Sequence, residues 1–405
     1  MLQYLKTVVV GGATVCAAGF GSPAVAQTSQ PPQEAPARVT PGWAFTPTIA
    51  ISAAHDDNPV LAGRGDPSPS DVITNVRPGG DLTFTSKHAF FGAGYRGSIQ
   101  RYRELDQYDS YDQGGYAEYR QKASRRVSLF VRDNFSVSPT TDLVEVEGVP
   151  FTRTGTRQND FNGGLTTAIT KTVEITGSYH FQWIEFDNPD PLSPALHGGR
   201  SHSAAIAAHK AVSSRLTLGG RYGVQRASIG PLGGTGDFDI QTAEGTVEFQ
   251  LRPSVKMDGG FGMSRVVLPD PADARTGPAG HISVRKVTEH AQFTLGAMRS
   301  FVPNYGFGGS IRNQQVIGSV RVPFARNRAY TAASVAWRKS QPVLVNELGL
   351  QSVWVLTTVG YSFQRWVALE GFYNGAFQAS TVAGGRVDRN RIGVQIVTSR
   401  PMRLK

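Results

Sequence analysis

Cysteine is almost missing from this 405-residue chain: there is one, Cys16, and it sits inside an apolar N-terminal segment. Past that segment the chain has no thiol, which excludes disulfide frameworks, cysteine-ligated metal and cysteine nucleophiles. Histidine is scarce, eight in all, and no HxH, HExxH or CxxC spacing occurs, so no metal centre is assigned. No serine lies in a GxSxG context, and no aspartate run has the spacing of a calcium loop. The glycine-rich stretches at Gly92–Gly94, Gly233–Gly236 and Gly306–Gly309 do not open helices, as a phosphate cradle would need. Neither catalytic residues nor a cofactor are assigned, and the chain is read as a non-enzyme. Also missing, beyond the N-terminus, is any apolar run of roughly 18 or more residues, which excludes a transmembrane helix.

What is present is a period of two. Val173, Ile175, Gly177, Tyr179, Phe181 and Trp183 alternate with Glu174, Thr176, Ser178, His180 and Gln182. Strand side chains point to opposite faces, so this segment has an oily side and a wet side. Leu216–Ala227 and Val367–Gln378 repeat the pattern. In Val127–Ser138 it is broken by Asp133, which requires either a bulge or a place near the membrane interface. About eighteen such segments run from Trp43 to Thr398. The first is predicted to end at Ala53. Tight connections such as Ser86–His88, Ile169–Thr172 and Arg252–Ser254 alternate with long ones such as Ala54–Asp71, Pro139–Thr156 and Asp187–Gly199. Short turns at one end and long loops at the other are expected of an antiparallel β-barrel that crosses an outer membrane. The predicted fold is therefore all-β, a transmembrane barrel of about 18 strands.

Residues 1–26 read as a secretory signal: Lys6, an apolar run to Gly21, then Ala24-Val25-Ala26 before Gln27. Residues 27–41 read as a proline-rich periplasmic leader and 42–405 as the barrel. The expected location is the bacterial outer membrane.

Lysine and arginine exceed aspartate and glutamate, 41 to 31. They are dispersed along the short turns rather than clustered on one face, which argues against nucleic-acid binding. The acids concentrate on the long loops, among them Asp56, Asp57, Asp142, Glu145, Glu147, Asp190, Asp270 and Asp273, and read as solvated. The tryptophans Trp43, Trp183, Trp337, Trp354 and Trp366 read as girdle or rim residues.

Carrying the alternation through every segment gives lumen-lining candidates of both signs. They are Arg96, Glu118, Arg132, His180, His209, Arg221, Glu244, Glu248, Asp258, Arg285, Arg321, Arg338, Glu370 and Arg391. Such a lumen is hydrated and suits polar or sugar solutes, unless its charges pair across it and serve stability alone. At this strand number an aqueous channel is expected unless something plugs it.

Two stretches carry a family resemblance. Phe45–Ser52 followed by Asp56-Asp57-Asn58, and the closing Arg389–Ser399, are similar to the first and last strands of the type 2 β-barrel porins. The resemblance implies an outer-membrane barrel, often associated with exopolysaccharide export, without established catalytic residues. The chain departs from barrels that end in an aromatic residue, since it closes Pro401–Lys405. Expected partners are outer-membrane lipid and lipopolysaccharide, the barrel assembly machinery and periplasmic polysaccharide-export proteins. The expected role is passage of hydrophilic material. The alternatives are a non-conducting barrel that anchors an export partner and, more remotely, an outer-membrane hydrolase.

Overall fold

The computed structural model describes residues 41–143, 148–187, 196–230, 236–268, 274–343, 349–381 and 385–404. The signal, and the leader up to residue 40, lie outside these residues, as do Glu145, Glu147, Asp190, Asp270 and Asp273.

Eighteen long strands follow one another: β1 Gly42–Asp56, β2 Asp71–Thr85, β3 Ala89–Tyr102, β4 Ser110–Lys122, β5 Val127–Ser138 and β6 Thr156–Ala168. Next come β7 Val173–Phe186, β8 Gly199–Ala211, β9 Leu216–Ile229, β10 Asp237–Arg252, β11 Val255–Val267 and β12 Arg275–Val287. The last are β13 Gln292–Pro303, β14 Ser310–Phe324, β15 Ala329–Pro342, β16 Leu350–Gln364, β17 Val367–Ser380 and β18 Arg386–Ser399. Each pairs antiparallel with its predecessor and successor. The sheet then closes on itself: Ile51 of β1 faces Val76 of β2 on one side and Ile396 of β18 on the other. A three-residue strand, β19 Met402–Leu404, extends the last edge along Trp43–Phe45. Closure leaves no edge strand, so the backbone groups of these strands bond within the wall.

The connections alternate as the sequence pattern predicts. At one end β2–β3, β4–β5, β6–β7 and their counterparts are joined by short turns, such as 86–88, 253–254 and 365–366. At the other end lie the long loops, including 57–70 and 139–155. Five short turns share one device. Ser86, Ser124, Thr170, Ser213 and Thr288 each accept, on the side-chain oxygen, the N–H of the residue three positions on, at 2.9–3.1 Å. A hydroxyl standing in for a backbone acceptor is what makes Ser and Thr turn formers.

Burial is inverted relative to a water-soluble protein. Outward side chains are apolar and exposed, among them Ile206, Tyr222, Leu295, Ile392 and Phe261, the last 74% exposed. Inward ones include buried His180, Gln225, Glu244, Arg338, Glu370 and Gln395. A contiguous apolar exterior of this extent is unstable in water and stable in lipid, where outward residues lose nothing by being greasy. Asp133 faces outward with no register shift in its ladders, so of the two readings the sequence left open the bulge is excluded. Its carboxylate accepts from the Asn159 amide at 2.9 Å on the same face.

Candidate functional site

Directly paired residues of an antiparallel ladder share a face. Starting from inward Ser52, opposite inward Gln395, the ladders put all fourteen lumen candidates on the interior side. Arg96 follows through Gly79, and Glu118 lies opposite Arg132. His209 lies opposite Glu174, Arg221 opposite Glu244, and Glu248 opposite Asp258. Arg285 aligns with Lys256, and Arg321 with Gln292. Arg338 aligns with Gln315, Glu370 with Gln395, and Arg391 with Asp56.

Many of these charges are neutralised by close neighbours. Arg96 pairs with Asp81 at 3.4 Å and Lys256 with Glu248 at 3.0 Å. His180 Nε2 lies 2.8 Å from Asp160, and Arg120 bonds Glu118. Arg77 donates to Gln395, which donates to Glu370, which also accepts from the Tyr330 hydroxyl. Charges held in this way fix the wall and leave a polar surface for water or solute.

The outer half of the interior is not open. Loop 139–155 leaves the wall between β5 and β6, turns inward and reaches the opposite side. It is drawn together at its own base: Thr141 donates its N–H to the Thr152 carbonyl at 3.0 Å, and Thr152 returns its N–H to the Thr141 hydroxyl at 2.7 Å. Beyond that waist, Phe151 N–H donates to Gln378 Oε1 at 2.7 Å, and Gln378 Nε2 donates to the Val149 carbonyl at 3.1 Å. The Trp354 indole N–H donates to the Asp142 carbonyl at 3.3 Å, and Phe151 packs edge-on against the same ring. Gly148 touches the β13–β14 connection. It has φ +73°, and a Cβ there would stand 2.1 Å from Asn304 Oδ1 and 3.0 Å from Ile311, so no other residue fits unstrained. Arg153 ties in two more loops, donating to the Pro59 and Tyr108 carbonyls and lying over the Tyr108 ring.

One buried ion cluster clamps this loop. Arg389 of β18, 1% exposed, donates to Asp56 Oδ2 at 2.6 Å and to Asp142 Oδ2 at 2.9 Å, while Arg391 reaches Asp56 at 2.9 Å. Two readings from sequence are corrected here. Asp56 and Asp142 are not solvated loop acids: β1 runs on to Asp56, whose side chain falls on the interior face. Trp354 is not a girdle residue, because it is paired with inward Ala336 and Ala376 and lies beneath the loop with Arg338 stacked over it at 5.1 Å. Trp43, Trp183 and Trp337 do belong to the outward face.

Beside the loop, the rest of the mouth is filled by an apolar cluster. Ile184, Phe186, Ile229, Phe238, Ile240 and Val266 meet Val149, Leu196 and Tyr305 from three loops. Tyr305 is fully buried and donates its hydroxyl to Ser201 on β8 at 2.9 Å. The lumen therefore has a charged, polar lower half and an occluded outer half. Among the described residues no group of histidines, cysteines and acids has the arrangement of a metal site.

No known family profile matches the chain, and no curated protein does. Among solved structures, OccAB4 of Acinetobacter baumannii overlaps at a TM-score of 0.46 with 8% identity, over 89% of this chain and 98% of that one. OpdO of Pseudomonas aeruginosa gives 0.45 with 11% identity and OpdQ of the same organism 0.44 with 9%, each over 89% of this chain and 98% of its own. Overlaps this loose carry no weight for function, which has to come from the chain's own geometry.

Proposed function

We propose that this protein is an outer-membrane channel for small hydrophilic solutes, narrowed at its outer end by loop 139–155. The observation that carries the reading is the inverted polarity of a closed sheet: charged and amide side chains inside, a continuous apolar surface outside. A wall of that kind serves to keep a wet interior within lipid. The inward residues that stay exposed, such as Arg96 and Arg132, would then act by replacing part of a solute's hydration, while buried His180, Glu244, Arg338 and Glu370 hold the wall. The outward face would meet outer-membrane lipid and lipopolysaccharide, the basic short turns would face the periplasm, and insertion would depend on the barrel assembly machinery. The test is ion conductance of the folded protein in a planar bilayer. Discrete steps are expected, and silence from protein shown to be folded would overturn the reading.

Export of a secreted polysaccharide is the finer possibility. It requires loop 139–155 to withdraw, since a polymer has no straight path past Gln378, Trp354 and Gly148 while the loop is seated. The packed outer mouth favours a second reading, a non-conducting barrel that anchors a periplasmic export partner. That reading predicts no conductance, together with partner capture that is lost when residues 27–41 are removed.

A further inference from the structure

Towards the long loops, the outward face of the wall changes character within one step of two residues. Across β13 to β16 one rung of paired residues is Ala297, Val316, Trp337 and Val353, all apolar. The next rung towards the loops is Arg299, Gln314, Lys339 and Gln351. On β14 the apolar side runs from Val316 to Phe324, about 27 Å of strand at ~3.4 Å per residue and about 21 Å of membrane at an ordinary tilt. That is close to the height of the lipid-facing band of a barrel, so the basic rung stands at the level of the headgroups.

Arg312 lies on the same face of β14, diagonal to both Arg299 and Lys339, so three cations surround Gln314 within about 10 Å of one another. All are partly exposed. Among the described residues Arg299 and Lys339 form no ion pair or side-chain hydrogen bond, and Arg312 donates only to the Gln341 side-chain oxygen. Elsewhere on this rim outward arginines are matched by acids: Arg101 by Asp109, Arg157 by Asp187, Arg226 by Asp237 and Arg386 by Asp388. From 275 to 380 the acids are Glu289 in a short turn at the opposite end, Glu370 inside the barrel, and Glu347, which lies outside the described residues. Neighbouring like charges on one sheet face repel, and an external anion relieves that repulsion. We infer that Arg299, Arg312 and Lys339, with Gln314 between them, form a docking site for the phosphorylated sugar headgroup of lipopolysaccharide in the outer leaflet. Guanidinium groups meet phosphate oxygens with two parallel N–H donors, and the ammonium adds a compact charge. Gln314 supplies a donor and an acceptor for sugar hydroxyls, and Trp337 on the rung beneath sits at the boundary with the acyl chains. The inference rests on the outer-membrane placement proposed above and specifies which part of the wall holds the lipid.

The experiment titrates bisphosphorylated lipid A into the full chain folded in zwitterionic detergent with EDTA present, so that divalent cations do not bridge the phosphates. Dephosphorylated lipid A and phosphatidylglycerol are the comparison lipids, and native mass spectrometry counts the lipid bound. Wild type is compared with Arg299→Gln/Lys339→Gln and with Arg157→Gln as a rim control. A cation near an anionic lipid surface is worth about fivefold in binding, so the double variant is expected to lose roughly 25-fold and the control to stay within about twofold. Equal binding by the double variant and wild type overturns the site. Dephosphorylated lipid A binding as tightly as the bisphosphorylated form overturns phosphate recognition, and phosphatidylglycerol binding as tightly overturns the assignment to lipopolysaccharide. Heat-dependent gel migration checks folding, and if the double variant does not fold, Lys339→Gln alone carries the comparison with an expected loss of about fivefold. Conductance of the double variant should match wild type, because these side chains lie outside the lumen. Lipid binding without any conductance overturns the channel reading and keeps the site, while cell fractionation that finds the chain outside the outer membrane overturns both.

Discussion

Arg389 is where a single side chain decides how the outer interior is arranged. It stands between two carboxylates, one on the neighbouring strand β1 and one on loop 139–155, all three buried. Substituting Arg389→Ala leaves buried Asp142 without a cation and Asp56 with Arg391 alone, a loss of about 3–5 kcal/mol for breaking a buried pair. Chemical denaturation in detergent should show that loss as a lower midpoint. Asp142→Asn should cost less, because Asp56 keeps Arg391 as a partner and the amide can still accept one bond. The double change Arg389→Met and Asp142→Asn should regain most of the stability, since Asp56 then keeps Arg391 and no buried charge is left alone; if it does not, the cluster is not what ties the loop down. None of this was legible in the sequence. Asp142 and Arg389 are 247 positions apart, and no periodicity links them. Asp56 was hidden by a smaller effect: the alternation past Ala53 is only His55 out and Asp56 in, too short to tell a strand end from a loop.

At the level of elements the sequence was far more explicit, because a period of two repeated through every strand is a local signal that tertiary contacts reinforce. The facing of Leu216–Ala227 and Val367–Gln378 could be read residue by residue, and the turn lengths gave the alternation. What the pattern did not show was that five of the short turns carry a Ser or Thr at their first or second position for one reason, capture of the N–H three residues on. Removing the hydroxyl from one such turn, as in Ser213→Ala, should cost roughly 0.5–1 kcal/mol, since water can partly replace it at an exposed turn. The five turns lie far apart, so their effects should add. A variant with Ser86, Ser124, Thr170, Ser213 and Thr288 all changed to Ala is expected to lose about 2–5 kcal/mol and to refold into detergent more slowly. Its conductance, set at the opposite end, should be unchanged. A refolding rate equal to wild type would mean that the ladders, not the turns, fix the register.

For the whole molecule, the question is how an eighteen-strand wall relates to what occupies it. A sheet of this circumference leaves an aqueous channel when it is empty, and here loop 139–155 and the apolar cluster around Tyr305 fill the outer end. The wall does not need the loop for its own closure, since every ladder from β1 to β18 is made between strands. The loop is also built to be removable: Thr141 and Thr152 bond each other at its waist, so the two ends already meet. Joining Thr141 to Thr152 through two glycines takes away Asp142, Gly148, Val149 and Phe151 without moving β5 or β6. The shortened protein should give the circular dichroism and heat-dependent gel migration of an intact barrel. It should conduct several-fold more than wild type, because the obstruction across the lumen is gone while the polar lining stays. Arg389→Ala, which frees the same loop without deleting it, should fall between the two and fluctuate, as a tethered segment enters and leaves the path. Equal conductance in all three would place the constriction in the apolar cluster at Tyr305 and Ile229, and the order of these three conductances separates a loop that gates from one that merely covers.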